Sequence, residues 1–194
     1  MGLIKRARTA EKEKRAEVEC QVMEYLTRRK FREASLAVAA YEQKQASPRG
    51  IGIDWKHYNP NHDIEMLSTI FESKPKILVR LGNEKLEALR IAAAMEVLWG
   101  KNMAREWLPA NFETGLSFDN NTAVRMIAFH GVHRATLERY RSEGMDYVEV
   151  FPSPDSCESC RKLAGTYKLN EAPELPNEHC TGKMGCRCTF LPVV

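Results

Sequence analysis

The sequence predicts a mostly α (α+β) fold, in which a helical body carries a small C-terminal β-rich zinc-binding knuckle. Three observations predict it. Apolar residues recur at three- and four-residue spacings through most of residues 1–143, the period of amphipathic helices. A single stretch, Met145–Phe151, alternates like a half-buried strand. Five of the six cysteines then crowd into residues 155–194, where a chain needing a metal gathers its ligands. At 194 residues the chain is long enough for one domain with a real core, or a larger domain plus a small appended one. The breaks place a helical N-terminal region at 1–118 and a C-terminal domain at 119–194, with the zinc motif at 155–190.

Thr9 is the expected N-cap of a helix opening Ala-Glu-Lys-Glu-Lys-Arg. Val18, Val22 and Leu26, then Phe31, Ala34, Val38 and Tyr41, continue the helical spacing, as one long helix or two joined near Arg28–Lys30. Cys20 is expected as a small core residue of this helix. Ser47-Pro48-Arg49-Gly50 ends the pattern, and the Gly, Pro and aromatic residues to Pro60 read as a loop. His57 and His62, beside Asp54 and Asp63, are explained by turn chemistry. Asp63 caps a short helix through Ser73, with Ile64, Leu67 and Phe71 on one side, and Lys74-Pro75 breaks it. Lys76–Leu81 fits helix or strand equally. From Asn83 a clearer helix runs to Trp107, with Leu86, Leu89, Ala93, Val97, Gly100 and Ala104 along a seam. Asp119-Asn120-Asn121-Thr122 opens a helix over 121–143 with two apolar faces, expected to be the most buried. His130 and His133 in it are expected to be packed or at the surface. Gly144 ends it.

Charge is uneven. Residues 1–50 hold 12 Lys/Arg against 7 Asp/Glu, although the whole chain carries only +3. That is far below a dedicated DNA-binding domain. Arg28, Arg29, Lys30 and Arg32 form the densest positive cluster, where phosphate contact is the alternative to a solvated helix face. There is no cleavable apolar leader and no apolar run near the ~18 residues a span requires. The expected location is the cytosol, where reduced thiols favour metal over disulfides. A nucleophile elbow, a phosphate loop and an H-E-x-x-H are all missing from the sequence, which argues against hydrolase chemistry at His130, His133 or His179.

The tail reads D-S-C-E-S-C-R-K-L-A-G-T-Y, then L-P-N-E-H-C, then C-R-C-T-F-L-P-V-V. Cys-x-x-Cys turns both sulfurs toward one point, and the chain returns with further soft ligands to close a tetrahedron. Six candidates, Cys157, Cys160, His179, Cys180, Cys186 and Cys188, compete for four positions. Cys157 and Cys160 are the secure pair. His179 and Cys180 are neighbours, and Cys186 and Cys188 point the same way with Arg187 opposite. The preferred Zn2+ set is Cys157, Cys160, His179 and Cys186, with Cys188 and Cys180 as alternates.

This tail resembles the C-terminal domain of phage Mu F-like head-morphogenesis proteins, the minor head proteins of tailed phages. The matching positions are Asp155, Cys157, Cys160, Gly165, Pro176, His179, Cys186, Arg187, Cys188, Thr189, Pro192 and Val193, preceded by a helix and a short strand as in that family. The likeness covers residues 120–194, and six residues separate His179 from Cys186 where the family usually has two. It implies a structural interaction protein of a phage or prophage head, residing in the host or the virion, with a portal or capsid protein as partner. The alternative, read from the residues alone, is a zinc-stabilised nucleic-acid-binding protein using the basic N-terminal helix.

Overall fold

The structure, a computed structural model, describes residues 2–45, 48, 53–100 and 104–193, with side chains described from Glu11 onward. It is mostly helical with one small sheet, as the sequence predicts. The helices are α1 (Gly2–Thr27), α2 (Phe31–Glu42), α3 (Asn61–Glu72), α4 (Asn83–Trp99), α5 (Asn120–Ser142) and the single turn α6 (Glu158–Arg161). The strands are β1 (Tyr147–Phe151), β2 (Gly165–Lys168) and β3 (Thr189–Pro192). The chain divides into two compact units, Met1–Ser68 with Ala94–Asn102, and Thr69–Ala93 with Met103–Val194. That division differs from a boundary at 118/119, because residues 69–93 fall with the C-terminal half.

In the first unit α1 already runs from Gly2, so Thr9 lies inside the helix and does not cap it. The helix ends where the sequence allows two helices to join. Arg29 takes φ 58°, a left-handed conformation rare outside glycine. Its N–H donates to the Leu26 carbonyl at 3.0 Å, and the Lys30 N–H donates to the Tyr25 carbonyl at 2.8 Å. Those two bonds satisfy carbonyls that the helix end would otherwise orphan. Val22 and Leu26 of α1 and Ala34, Val38 and Ala39 of α2 are buried. Cys20 is exposed, contrary to the expected core position. Two residues from Val22 is about 200° around a helix, so a residue there faces away from the stripe. Trp99 is buried with its ring 5.5 Å edge-on from Tyr41, and the Arg15 guanidinium lies 4.8 Å over it. The 47 and 49–52 part of the expected loop lies outside the described residues. Beyond it, Asp54 accepts from the Lys56 and His57 N–H groups and pairs with His57 Nδ1 at 2.8 Å, while the Tyr58 hydroxyl meets Asp63.

In the second unit the Lys76–Leu78 stretch resolves as a 3-10 turn. Arg90 of α4 is buried and donates from Nε and Nη2 to the Ser73 carbonyl at 3.0 and 2.6 Å, closing the end of α3. The helix expected to reach Trp107 stops at Trp99. Gly100, at φ 61°, donates back to Glu96 at 2.8 Å, and the chain resumes as a separate turn at Ala104–Glu106. Asp119 caps α5, its Oδ1 accepting from the Thr122 N–H at 2.7 Å. That bond holds the Asp119 carboxyl below its usual range.

Helix α5 is buried through Thr122–Val124, Met126, Ile127, His130, Gly131 and His133, but its second half is largely exposed apart from Tyr140. Val132 and Ala135, expected on an apolar face, are exposed. Gly131 is where α3 approaches, and an added Cβ would lie 2.8 Å from Thr69 Cγ2. Gly144, at φ 77°, ends α5 as expected, with Met145 N–H donating to the Tyr140 carbonyl at 3.0 Å. The sheet is antiparallel in the order β2-β1-β3. Val148, Val150 and Phe190 face inward, and Phe190 meets His133 of α5 edge-on at 5.4 Å.

Candidate metal centre

The chain leaves β1 after Phe151, adds β2 along one side of β1, and re-enters the sheet on the other side at Thr189, the direct partner of Phe151. Hydrogen bonds and an ion pair set the local course of this excursion. Ser153 Oγ donates to Asp155 Oδ1 at 2.8 Å, and Asp155 is ion-paired with Arg187. That contact fastens the start of the segment to its end. Cys157 stands at the N-cap of α6 and Cys160 lies three residues on, so one helical turn presents both sulfurs on the same side.

The return begins at Leu175, buried, followed by Pro176 across a cis peptide and by Asn177. Asn177 Nδ2 donates to Cys160 Sγ at 3.6 Å, its Oδ1 accepts from the His179 N–H at 3.0 Å, and its carbonyl accepts from the Cys180 N–H at 3.1 Å. Ser159 Oγ completes the clasp on the His179 carbonyl at 2.6 Å.

Gly185, at φ 70°, sets the last two thiols against α5. A Cβ there would fall 2.7 Å from Thr122 Cγ2 and 2.9 Å from Met126 Cε, so only glycine fits both the turn and the space. Arg125 of the same helix donates to the Met184 carbonyl at 3.2 Å. Cys186 and Cys188 are buried with exposed Arg187 between them, the alternation the sequence predicts.

Five thiols converge. Cys157, Cys160 and Cys180 form one group and Cys160, Cys186 and Cys188 a second, with all sulfurs of each group within 4.8 Å of one another. Cys160 belongs to both. Sγ–Sγ is 3.8 Å for Cys157–Cys180 and 3.9 Å for Cys160–Cys186. The edge of a tetrahedron with metal–sulfur bonds of about 2.3 Å is about 3.8 Å. The cluster can hold a metal ion.

His179, expected among the ligands, is outside both groups, with its side chain 78% exposed and 3.9 Å from Glu178. The reason is local. Asn177 and Ser159 hold the backbone on both sides of the His179 Cα, which leaves its imidazole facing solvent and turns its neighbour Cys180 inward. Cys180, an alternate on sequence grounds, is buried. Asn177, Ser159 and Gly185 were not singled out from sequence as parts of this centre. The one signal for them is position, since all three lie within three residues of a candidate ligand.

The thiols divide charge unequally. Burial pushes the Cys157 thiol up, but hydrogen bonds from the Ser159 hydroxyl and from the Cys160 and Thr181 amides outweigh it and bring it down to about 5. Burial and the neighbouring Cys186 charge push Cys160 up to about 11. Cys186 lies far below the ordinary thiol range because Cys180 and Cys188 donate their S–H groups to it, and both of those are pushed up in consequence. With protons alone, then, Cys157 and Cys186 carry the charge while the other three stay neutral. A divalent cation would displace those protons and make further thiolates ligands. His133, buried between the Phe129 and Phe190 rings, is held below its usual range by burial, and Cys188 accepts from it through the backbone. His130 is likewise lowered by burial, with Glu174 Oε1 4.0 Å from its Nε2.

The basic cluster lies elsewhere, at the exposed α1–α2 turn. Arg28 pairs with Glu24 at 2.6 Å, Arg29 Nη1 donates to the Leu26 carbonyl at 3.3 Å, and Lys30 caps α2. Positive charge at that point also suits the negative end of the α1 dipole. Among the described residues no helix is long and apolar enough to cross a membrane. Comparison with protein-family models, with curated proteins and with solved structures gives no match to this chain.

Proposed function

We propose that residues 155–188 form a structural zinc knuckle that fixes a docking module and takes no part in chemistry. The observation that supports it is the pair of sulfur–sulfur distances, 3.8 Å for Cys157–Cys180 and 3.9 Å for Cys160–Cys186. Taken as opposite edges of one tetrahedron, they favour Cys157, Cys160, Cys180 and Cys186, with Cys186, which lies outside the Cys157–Cys160–Cys180 group, drawing in on the ion. Cys188 then remains a neighbour donating its S–H to Cys186, and Cys180 takes the place expected for His179. Zinc is the ion that four thiolates at this spacing suit, and four protein ligands leave no open position for water or substrate. Such a centre stabilises; it does not turn over.

The elements that carry the likeness to phage head-morphogenesis proteins fall in one unit: helix α5, strand β1, the Cys-x-x-Cys turn and the closing C-R-C-T strand. That supports reading the protein as a minor head component that works by contact with a portal or capsid protein. The test has two arms. Elemental analysis of the purified chain should find one zinc per molecule, retained in Cys188→Ser and His179→Ala and lost in Cys160→Ser and Cys180→Ser. Affinity capture from cells carrying the native gene neighbourhood should recover portal or capsid protein. Recovery of neither, with zinc bound, defeats the phage assignment while leaving the knuckle intact.

A further inference from the structure

We propose that a cleft beside the cysteine cluster receives an extended segment of a partner protein in which carboxylates alternate with aliphatic side chains. This deepens the docking reading above and rests on it in one respect, the assignment of Cys180 as a ligand.

The cleft measures about 540 Å3 and is walled by three stretches of one unit: residues 76–80, residues 115–118 and the loop 178–181. That volume is within the range of ligand sites and admits about three or four side chains. Its lining combines apolar side chains with two exposed cations, Lys76 and Arg80. Ile77 and Phe118 are buried, and Leu116 is half-buried. Val79 is 72% exposed, more than any other large apolar residue described. An aliphatic group laid across these side chains removes apolar surface from water on both partners.

Arg80, next to Val79, is exposed and forms no ion pair among the described residues. Lys76 is paired with Glu174, its Nζ at 4.0 Å and its backbone N–H donating to the same carboxylate at 2.8 Å, which leaves Arg80 as the cation with no counter-charge of its own among the described residues. The one acid lining the cleft, Glu178, is turned toward the His179 Nε2 at 3.9 Å. A simple anion would make no use of Val79 or Leu116, and a wholly apolar ligand would strip water from Arg80 without replacing it. A segment alternating the two chemistries satisfies both, and it is also the pattern an extended chain presents on one side and the other.

The third wall depends on the metal. Cys180 lines the cleft and belongs to the Cys157–Cys160–Cys180 sulfur group, so loss of the ion frees the loop that closes this side. Cleft and knuckle are thereby one device, with metal occupancy deciding whether the docking surface exists.

The experiment uses the full metal-loaded chain and two fluorescein-labelled pentapeptides, one alternating leucine with glutamate, the other leucine with lysine, followed by fluorescence anisotropy. The glutamate peptide should bind about tenfold or more tightly than the lysine peptide, with a preference that shrinks as salt rises. Arg80→Glu should erase that preference, and Val79→Ser should weaken binding several-fold. Both side chains are exposed, so the helical signal should be unchanged in either variant. Chelation should abolish binding. Equal affinity for the two peptides, or an Arg80→Glu protein that binds as the parent does, overturns the proposal. If one zinc is bound per chain and neither peptide binds, the cleft reading fails and the knuckle stands. If no zinc is found yet the glutamate peptide binds through Arg80, the knuckle and the metal dependence of the cleft both fail, and only the peptide preference stands.

Discussion

The α1–α2 pair and the cysteine segment bury different mixtures of side chains. Between α1 and α2 the buried residues are mostly aliphatic or aromatic, Val22, Leu26, Ala34, Val38, Ala39 and Tyr41, with Ser35 and Glu42 beside them, so cohesion comes chiefly from apolar area removed from water and scales with it. In residues 155–188 the buried set is Cys160, Leu169, Leu175, Pro176, Cys180, Gly185, Cys186 and Cys188, with polar Ser156 and Asn177 among them. Two leucines cannot offset the entropy of ordering more than thirty residues, and the thiols face one another across gaps where metal–sulfur bonds fit. One region is held by many weak contacts, and the other, on the zinc reading proposed above, by a few strong ones. The first should lose stability in proportion to what is removed, and the second should fail all at once.

Removing the shared thiol should give the largest effect. Structural zinc contributes about 10–16 kcal/mol of apparent binding free energy at neutral pH. Cys160→Ser, or chelation of the parent protein, should therefore release the ion and open residues 155–188 to limited proteolysis while the helical signal stays near its starting value. A helical signal that collapses along with the metal would erase the contrast.

Leu26→Ala should cost about 2–5 kcal/mol in denaturant unfolding of the α1–α2 pair, with zinc content unchanged. Gly185→Ala sits at the junction of the two kinds of cohesion. Its Cβ meets Thr122 and Met126 and its φ is left-handed, so a loss of about 1–3 kcal/mol is expected, accompanied here by weaker metal retention. Competition with a chromophoric chelator would measure that.

Acid should act through His130. Burial holds its folded-state pKa below the ordinary value, Glu174 opposing and Arg134 assisting. The folded state thus binds fewer protons than the unfolded chain. The associated stability is complete above about pH 6.5 and is lost as pH falls below it. Urea midpoints between pH 7.5 and 5.5 should decline in the parent and less steeply in His130→Leu, where His133, also lowered by burial, keeps its share, with bound zinc measured on the same samples because protons also compete for thiolates. The smallest effect belongs to His179→Ala, expected within about 0.5 kcal/mol of the parent and equal to it in zinc.

The fold class, the join near Arg28–Lys30, the Asp119 cap, the Gly144 stop and strand β1 were legible because each is encoded within a few residues. The stop of α4 at Trp99 was not. Gly100 reads as one more small residue in an apolar seam until its left-handed φ is known. Cys20 was misplaced because its residue type argues for burial, whereas its position, about 200° around the helix from Val22, faces away from the stripe. In the tail, the convergence of thiols was legible from Cys-x-x-Cys and C-R-C, whereas the choice between His179 and Cys180 was not. It turns on Asn177 and Ser159 gripping the two peptide units that flank the His179 Cα, and neither carries a spacing signature.

The pairing of Phe151 with Thr189 has a mechanical corollary. Tension drawing the outer ends of β1 and β3 apart meets their ladder at Val148–Pro192 and opens its rungs one after another toward Phe151–Thr189. The cysteine segment is also tied to β1 through β2 and to α5 through Arg125 and Met184, so it stays anchored after that ladder has parted.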